Sequence, residues 1–234
     1  MKNVISDKVL GLQPSGIRKF FDIVSEMDDV ISLGVGEPDF DTPWHIRDEG
    51  IYSLERGRTF YTSNAGLKEL REEICRYLSR RCKVDYTIDE TLITVGGSEA
   101  IDLAMRVLLN PGDEVLTFAP YFGEYRAYVT NYDGILKEVE PNTETFQPNL
   151  KKFEQMLSEK TKAVIVNTPN NPTGVVYSEA TIQKMAAILE TKQKEFGTSI
   201  YLISDEPYRE LAYDGVEVPY LTKYYRNTIV GYSF

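Results

Sequence analysis

A Gly-Gly-Ser sequence at residues 96–98 follows the apolar stretch Leu92–Val95 and precedes a helical pattern. Free N–H groups at a helix N-terminus, together with the positive end of the helix dipole, favour an anion such as a phosphate. The same residues could instead form a simple tight turn with Ser98 as the helix N-cap. The junction lacks the GxGxxG pattern of dinucleotide-binding sites, and the chain has no Walker A motif.

A carboxylate and two aromatic residues follow other apolar stretches. Asp205 comes at the end of an apolar strand pattern, where a carboxylate needs a structural cation or a ligand nitrogen as its partner. Phe122 follows the next strand pattern along the chain after residues 96–98 and could stack on a flat ring, although most Phe residues are simply buried in the core. Tyr208 could equally be an ordinary core or surface residue.

The elements that would position these residues alternate between short apolar runs and amphipathic stretches. The predicted strands are Leu92–Val95, Glu114–Phe118, Ile135–Val139, Ala163–Asn167, Ile200–Ser204 and Thr228–Tyr232. The predicted helices between them are Ser98–Leu109, Glu124–Asn131, Leu150–Ser158 and Ser178–Phe196. This alternation predicts a three-layer α/β domain with a largely parallel sheet, in which ligands bind at the carboxyl ends of the strands.

The first 87 residues have a different pattern. Ser15–Met27 and Leu67–Arg81 each carry an apolar stripe at helical spacing, and the sequence GVGEPDFDTP between them predicts an irregular loop. We expect residues 1–45 to form an N-terminal arm and part of a smaller domain. Residues 46–234 then form the large domain.

Composition excludes several classes of partner. The chain has 26 Lys and Arg residues against 36 Asp and Glu residues, a net charge of −10 that argues against nucleic-acid binding. No run of eighteen apolar residues predicts a membrane span, and the N-terminus lacks the apolar region of a signal peptide, so we expect a cytoplasmic protein. Cys75 and Cys82 are seven residues apart, which matches neither a redox motif nor a metal site, and we expect no metal.

Six motifs together resemble class I/II pyridoxal-5′-phosphate (PLP) aminotransferases of fold type I. They are SLGVGEPDF (32–40), YTSNAGLKELR (61–71), TVGGSEAI (94–101), PGDEVLTFAPYF (111–122), NTPNNPTG (167–174) and SDEPY (204–208). The motifs occur in the family's order, and the resemblance extends over roughly residues 15 to 234. It implies a three-layer α/β/α large domain with a mostly parallel mixed sheet, and PLP as the cofactor.

The resemblance also implies a role for each motif position. Asp205 and Tyr208 are the implied catalytic residues, because Asp205 pairs with the pyridine nitrogen of PLP and makes the ring an electron sink. The implied cofactor-binding residues are Gly97, Ser98 and Ser233 at the phosphate, Phe122 on the ring face, Asn171 and Tyr208 at the 3′-oxygen, and Tyr61 at the phosphate of a neighbouring subunit in a homodimer. The implied substrate-binding residues are Gly36, Phe122 and Asn171.

The family's Schiff-base lysine is expected two residues beyond Phe234, so we expect this chain to be the N-terminal portion of the enzyme and inactive alone. Lys162 and Lys223 each precede a predicted strand and would lie at its wrong end. The implied reaction transfers an amino group from an L-amino acid, of aspartate or aromatic type, to a 2-oxo acid. A PLP-dependent carbon–sulfur β-lyase of the same fold and a non-catalytic PLP-fold protein are the alternatives.

Overall fold

The computed structural model describes residues 4–11, 23, 27, 29–31, 36 and 38–234. The helices are α1 (Asp7–Gly11), α2 (Trp44–Glu55), α3 (Lys68–Cys82), α4 (Gly96–Leu108), α5 (Tyr125–Asn131), α6 (Leu150–Met156) and α7 (Glu179–Phe196). The strands are β1 (Glu114–Phe118), β2 (Ile135–Val139), β3 (Thr161–Asn167), β4 (Tyr201–Glu206) and β5 (Thr228–Tyr232). Short 3₁₀ helices occur at Ile88–Glu90, Arg209–Leu211 and Leu221–Lys223.

The five strands form one sheet in the order β2-β1-β3-β4-β5, and every neighbouring pair is parallel. Helices connect strands β1 to β4, as parallel neighbours require. The predicted α/β fold is therefore confirmed. The register places Asp205 of β4 between Asn167 of β3 and Gly231 of β5, so three residues at the carboxyl ends of the strands lie side by side.

Helices cover both faces of this sheet. Successive side chains of a strand point to opposite faces, and in β3 Val164 and Val166 pack with buried residues of α6 and α7, whereas Ala163 and Ile165 pack with buried residues of α4 and α5. All four of these β3 side chains are buried. The continuous apolar runs in the sequence arise because each central strand is covered on both sides.

Local signals in the sequence set the ends of α7. Ser178 lies before the helix in an extended conformation, and its hydroxyl accepts a hydrogen bond from the Thr181 N–H at 3.2 Å, as an N-cap does. Gly197 follows the helix with φ of 66°, a left-handed conformation that glycine adopts without steric cost. Among the described residues, no helix is both long and apolar enough to cross a membrane.

The prediction of a strand at Leu92–Val95 is wrong. Residues 91–94 have no regular secondary structure, and Leu92 and Val95 are largely exposed. A strand requires a hydrogen-bonded neighbour, and in the described part of the chain no strand pairs with this segment. It is tied instead to a loop, because the Ile93 N–H donates to the Ala65 carbonyl at 3.1 Å.

Several of the other predicted boundaries moved by one or two residues, two of them at the cleft, and one predicted helix cannot be compared. Helix α4 begins at Gly96, so Gly97 and Ser98 lie in its first turn and Ser98 is not its N-cap. Strand β4 continues to Glu206 and includes Asp205 as a strand residue. The helix predicted at 15–27 lies outside the described residues apart from Ile23 and Met27.

Candidate active site

A cleft opens at the carboxyl ends of β3, β4 and β5, beside the first turn of α4. It is lined by Gly97, Ser98, Ile101, Phe122, Tyr128, Asn167, Asn171, Asp205, Pro207, Tyr208, Gly231, Tyr232 and Ser233. Seven of the nine predicted site residues are in this set, namely Gly97, Ser98, Phe122, Asn171, Asp205, Tyr208 and Ser233. The structure does not bring Gly36 and Tyr61 into the cleft.

The carboxylate of Asp205 forms the buried side of the cleft. The residue is 8% exposed, and its Oδ2 accepts a hydrogen bond from the hydroxyl of Tyr125. Burial raises the pKa of Asp205, while the hydrogen bond from Tyr125 opposes that rise. Asp205 takes part in none of the salt bridges found among the described residues. A cationic ligand in the cleft would compensate this buried charge.

Asn171 and Tyr208 meet on one side of the cleft. The Asn171 side-chain amide donates to the Tyr208 hydroxyl at 3.1 Å, and the Asn171 backbone N–H donates to Asn167 Oδ1 at 2.6 Å. Asn167 in turn donates from its side chain to the backbone carbonyl of Asp205 at 2.8 Å. This chain of bonds links the loop after β3 to β4, and it leaves an amide and a hydroxyl together at the cleft wall.

The first turn of α4 also lines the cleft, through Gly97 and Ser98. The first N–H groups of a helix have no partner within the helix, so they are available to an anion. A Cβ atom on Gly97 would lie 3.9 Å from Asp205 Oδ1, which shows that the start of the helix faces the buried carboxylate. The Ser98 hydroxyl accepts a hydrogen bond from Tyr128 at 2.8 Å. The cleft thus offers anion-binding groups on one side and an anion at its base.

Phe122 lies half-buried in the loop between β1 and α5 and lines the cleft. Its ring meets the ring of Tyr125 edge-on, with centroids 5.7 Å apart and an interplanar angle of 80°. This contact fixes the orientation of the Phe122 ring, which can cover one face of a flat ligand.

Two predicted site residues, Tyr61 and Gly36, do not line the cleft, and neither do the two lysines that the sequence analysis rejected as a Schiff-base lysine, Lys162 and Lys223. Tyr61 is fully exposed, and Gly36 is also exposed. Lys223 lies in the 3₁₀ helix before β5, and Lys162 is near the start of β3. Both lysines are therefore at the amino ends of their strands, and the cleft is at the carboxyl ends. No residue that lines the cleft in the described part of the chain is a lysine.

Sequence reasoning missed Tyr125 and Tyr128, which contact Asp205 and Ser98 respectively. A signal was present, because Phe122, Tyr125 and Tyr128 recur at a spacing of three residues, the first in the loop before α5 and the other two in its first turn. Residues three apart share a helix face. Aromatic side chains at this spacing, directly after a strand that ends at the cleft, indicate a face directed toward the site.

If the whole protein has the aminotransferase activity that the resemblance implies, Tyr125→Phe in that protein is expected to move the acidic limb of the pH profile of kcat/KM to higher pH. The hydroxyl of Tyr125 favours the ionised form of Asp205, so its loss raises the pKa of that carboxyl further. We also expect about a fivefold lower rate at neutral pH, the scale of one hydrogen bond. Steady-state assays across pH measure both effects, and an unchanged acidic limb would show that Tyr125 does not act on Asp205.

Comparison with known proteins identifies the family. The sequence model of the family described as aminotransferase class I and II matches residues 28–234. The chain belongs to this family. The aminotransferase fold therefore accounts for the cleft, and the residues that line it lie within the matched range.

Individual aminotransferases agree with this assignment. YugH of Bacillus subtilis (strain 168), named as an aminotransferase, is 45% identical over 216 residues, covering 92% of this chain and 54% of its own length. The aspartate aminotransferase of Pyrococcus horikoshii is 36% identical over 240 residues, covering 100% of this chain and 59% of its own. The structure of Thermus thermophilus aspartate aminotransferase with maleate superposes with a TM-score of 0.88 at 33% identity, covering 98% of this chain and 60% of that one. The chain thus spans little more than half the length of these aminotransferases.

Proposed function

We propose that the whole protein is a PLP-dependent aminotransferase that moves an amino group from an L-amino acid, of aspartate or aromatic type, to a 2-oxo acid. The observation that carries the proposal is the buried carboxylate of Asp205, which has no salt bridge among the described residues and lines the same cleft as the first turn of α4, whose N–H groups favour an anion. A ligand with a protonated ring nitrogen and a phosphate has this pattern of charge. Membership of the aminotransferase family supports the same assignment.

The residues of the cleft fit PLP one by one. Asp205 would pair with the pyridine nitrogen, Phe122 would cover a ring face, and Asn171 and Tyr208 would bind the 3′-oxygen. The phosphate would be held by Gly97, Ser98 and Ser233. When bound, PLP supplies an electron sink for breaking the bond between Cα and its hydrogen in the substrate. Phe122 and Asn171 would orient the amino acid, and we propose the same role for the backbone of Gly36, which does not line the cleft described here.

Product analysis tests the reaction class. We expect the whole protein to convert more than one equivalent per site of L-aspartate or an aromatic L-amino acid to the 2-oxo acid only when an acceptor such as 2-oxoglutarate is present, because the acceptor must take the amino group from the cofactor. Release of a thiol, pyruvate and ammonia from an S-substituted L-cysteine without an acceptor would instead show a carbon–sulfur β-lyase. Failure of the ligand-free protein to bind pyridoxamine 5′-phosphate, which needs no lysine, would contradict PLP binding itself and favour a non-catalytic member of the fold.

We further propose that residues 1–45 form an arm and part of a smaller domain, that residues 46–234 form the PLP-binding domain, and that the protein is cytoplasmic. The active unit is proposed to be a homodimer in which Tyr61 serves the neighbouring site. The full exposure of Tyr61 supports this role, since a residue that serves another subunit is accessible in a single chain. A tyrosine hydroxyl can add a charge-assisted hydrogen bond to a phosphate.

Mixing two inactive variants of the whole protein, Tyr61→Arg and Asp205→Ala, is expected to restore activity partly. If Tyr61 serves the neighbouring site, a heterodimer places both lesions in one site and leaves the other intact. Activity after verified subunit exchange is the measurement, and Tyr61→Phe should only weaken cofactor retention modestly. A monomeric enzyme, or mixtures that stay inactive, would contradict the shared site.

A further inference from the structure

A buried ion pair lies directly behind the cleft. Glu206, the last residue of β4, has a fully buried side chain, and the side chain of Arg209 is 9% exposed. Arg209 Nε donates to Glu206 Oε2 at 2.5 Å, and the hydroxyl of Ser204 donates to Glu206 Oε1 at 2.6 Å. Alternation along β4 directs Ser204 and Glu206 to the sheet face opposite that of Asp205. The pair therefore lies outside the cleft and touches none of the proposed cofactor contacts.

Arg209 also closes a loop. Its Nη1 donates to the carbonyl of Val218 at 2.7 Å, its Nη2 donates to the carbonyl of Pro219 at 2.8 Å, and its guanidinium lies 4.8 Å from the ring centroid of Tyr220. One side chain thus joins the two ends of the segment 209–219. The middle of this segment is exposed at Tyr213 and Val216, so Arg209 acts at the closed end.

The closed loop begins one residue after Tyr208. The Tyr208 carbonyl accepts a hydrogen bond from the Leu211 N–H at 2.9 Å, which makes Tyr208 the start of the short helix that contains Arg209. On the cleft side, the hydroxyl of Tyr208 accepts a hydrogen bond from the side-chain amide of Asn171. The backbone of Tyr208 therefore lies between Glu206 and Arg209, the two members of the buried ion pair.

A buried ion pair contributes little net stability, because desolvation of the two charges offsets their attraction. An arginine can instead hold several hydrogen-bond acceptors in fixed relative positions, because its guanidinium is planar and carries several donors. An apolar residue cannot do this. Here Arg209 fixes three acceptors, on Glu206, Val218 and Pro219. The arrangement therefore indicates that Arg209 positions the neighbouring residue, Tyr208.

We propose that Arg209 is a positioning residue, which through Glu206 and the closed loop 209–219 holds Tyr208 beside Asn171 so that both side chains reach the same oxygen of a bound cofactor. The proposal rests on the proposed function, because it concerns the 3′-oxygen of PLP. It adds a residue that lies outside the cleft and does not touch the ligand.

A thermodynamic cycle on the ligand-free protein tests the proposal. Calorimetry would measure binding of pyridoxamine 5′-phosphate and, separately, of inorganic phosphate. Arg209→Met is expected to weaken binding of pyridoxamine 5′-phosphate about tenfold, the scale of one hydrogen bond, and to change phosphate binding less than about twofold. In a Tyr208→Phe background the same substitution should cause no further loss, because Arg209 acts through the Tyr208 hydroxyl.

Control variants separate positioning from folding. Arg209→Met leaves Glu206 buried without a cation, so the double variant Glu206→Gln with Arg209→Met removes both charges and is expected to fold and to show the same selective loss. Arg226→Met, at an exposed arginine before β5, should change neither affinity. The proposal would be overturned if Arg209→Met weakened binding of pyridoxamine 5′-phosphate and of inorganic phosphate equally, or if it caused the same tenfold loss of affinity in the Tyr208→Phe background. Either result would indicate a general structural role for Arg209.

Failure of the proposed function would give a different result. If the wild-type protein does not bind pyridoxamine 5′-phosphate, PLP binding is wrong, and amide hydrogen exchange still tests the placement of Tyr208. Exchange at Leu211, whose N–H is bonded to the Tyr208 carbonyl, should become at least about tenfold faster in the double variant than in Arg226→Met. Unchanged exchange would overturn the positioning role.

Discussion

Asp205→Asn is expected to lower kcat/KM of the whole protein by at least ~10²-fold, the scale of removing one strong electrostatic contact from a transition state. In the proposed site, the charge of Asp205 keeps the pyridine nitrogen protonated. Asparagine has nearly the same shape and can still accept the hydrogen bond from Tyr125, so the substitution removes charge with little change in packing. Steady-state kinetics with saturating PLP measure the loss.

The same substitution is expected to stabilise the ligand-free protein at neutral pH. Burial raises the pKa of Asp205 in the folded state, so the folded protein binds this proton more tightly than the unfolded chain does. Stability is then lost as pH rises from the ordinary carboxyl range through the raised pKa, and the ionised group carries this cost at pH 7. An asparagine side chain at this position does not ionise, and we expect a gain on the order of 1 kcal/mol, or ~2–4 °C in Tm.

Thermal unfolding of the two ligand-free proteins at several pH values measures this gain. It should be present at pH 7, shrink as pH falls, and vanish only below about pH 3, where the carboxyl is protonated in the unfolded chain as well as in the folded protein. Asp102→Asn is a matched control, because Asp102 also accepts a tyrosine hydroxyl, that of Tyr132 at 2.6 Å, but does not line the cleft. An Asp205→Asn enzyme with near-normal turnover would show that the carboxylate is structural.

Much of the fold and of the cleft could be predicted because each depends on a local signal. Short apolar runs mark β1, β3 and β4, such as the four residues AVIV in β3, since strands covered on both faces have few polar positions. Parallel strands bring their carboxyl ends to one edge, so Asn171, Asp205 and Ser233 meet there although they are far apart in sequence. Their ligand roles stay predictions.

What could not be predicted depends on partners that are distant in sequence. The apolar character of Leu92–Val95 suggests a strand, but strand formation requires a neighbour, and this segment is bound to the loop at Ala65. Glu206 and Arg209 look like surface charges in the sequence. They are buried because Arg209 meets the carbonyls of Val218 and Pro219, contacts that no local pattern indicates.

Gly66→Ala is expected to lower the free energy of unfolding by about 3 kcal/mol or more, from backbone strain and overpacking together. Gly66 has φ of 97°, which is unfavourable for any residue with a Cβ atom. A Cβ at this position would overlap Ile93 Cγ1 and would lie 2.6 Å from Ile93 Cβ. The segments cannot easily separate, because the hydrogen bond between Ile93 and Ala65 holds them together. Denaturant unfolding measures the cost.

The control variant Gly57→Ala separates the cost of backbone strain at a positive φ from the cost of the steric clash with Ile93. Gly57 also has a positive φ, of 64°, but a Cβ there would meet no atom within 4 Å, so we expect a cost of about 1 kcal/mol. Ile93→Ala should reduce the penalty of Gly66→Ala, because it removes the nearest clashing atom. Ile93 lies three residues before the first turn of α4, so the displaced segment should also weaken phosphate binding at Gly97 and Ser98. Equal losses in the free energy of unfolding for Gly66→Ala and Gly57→Ala would mean that residues 91–95 move away from the added Cβ at no cost. The anion-binding first turn of α4 would then not depend on the contact of this segment with residues 65 and 66.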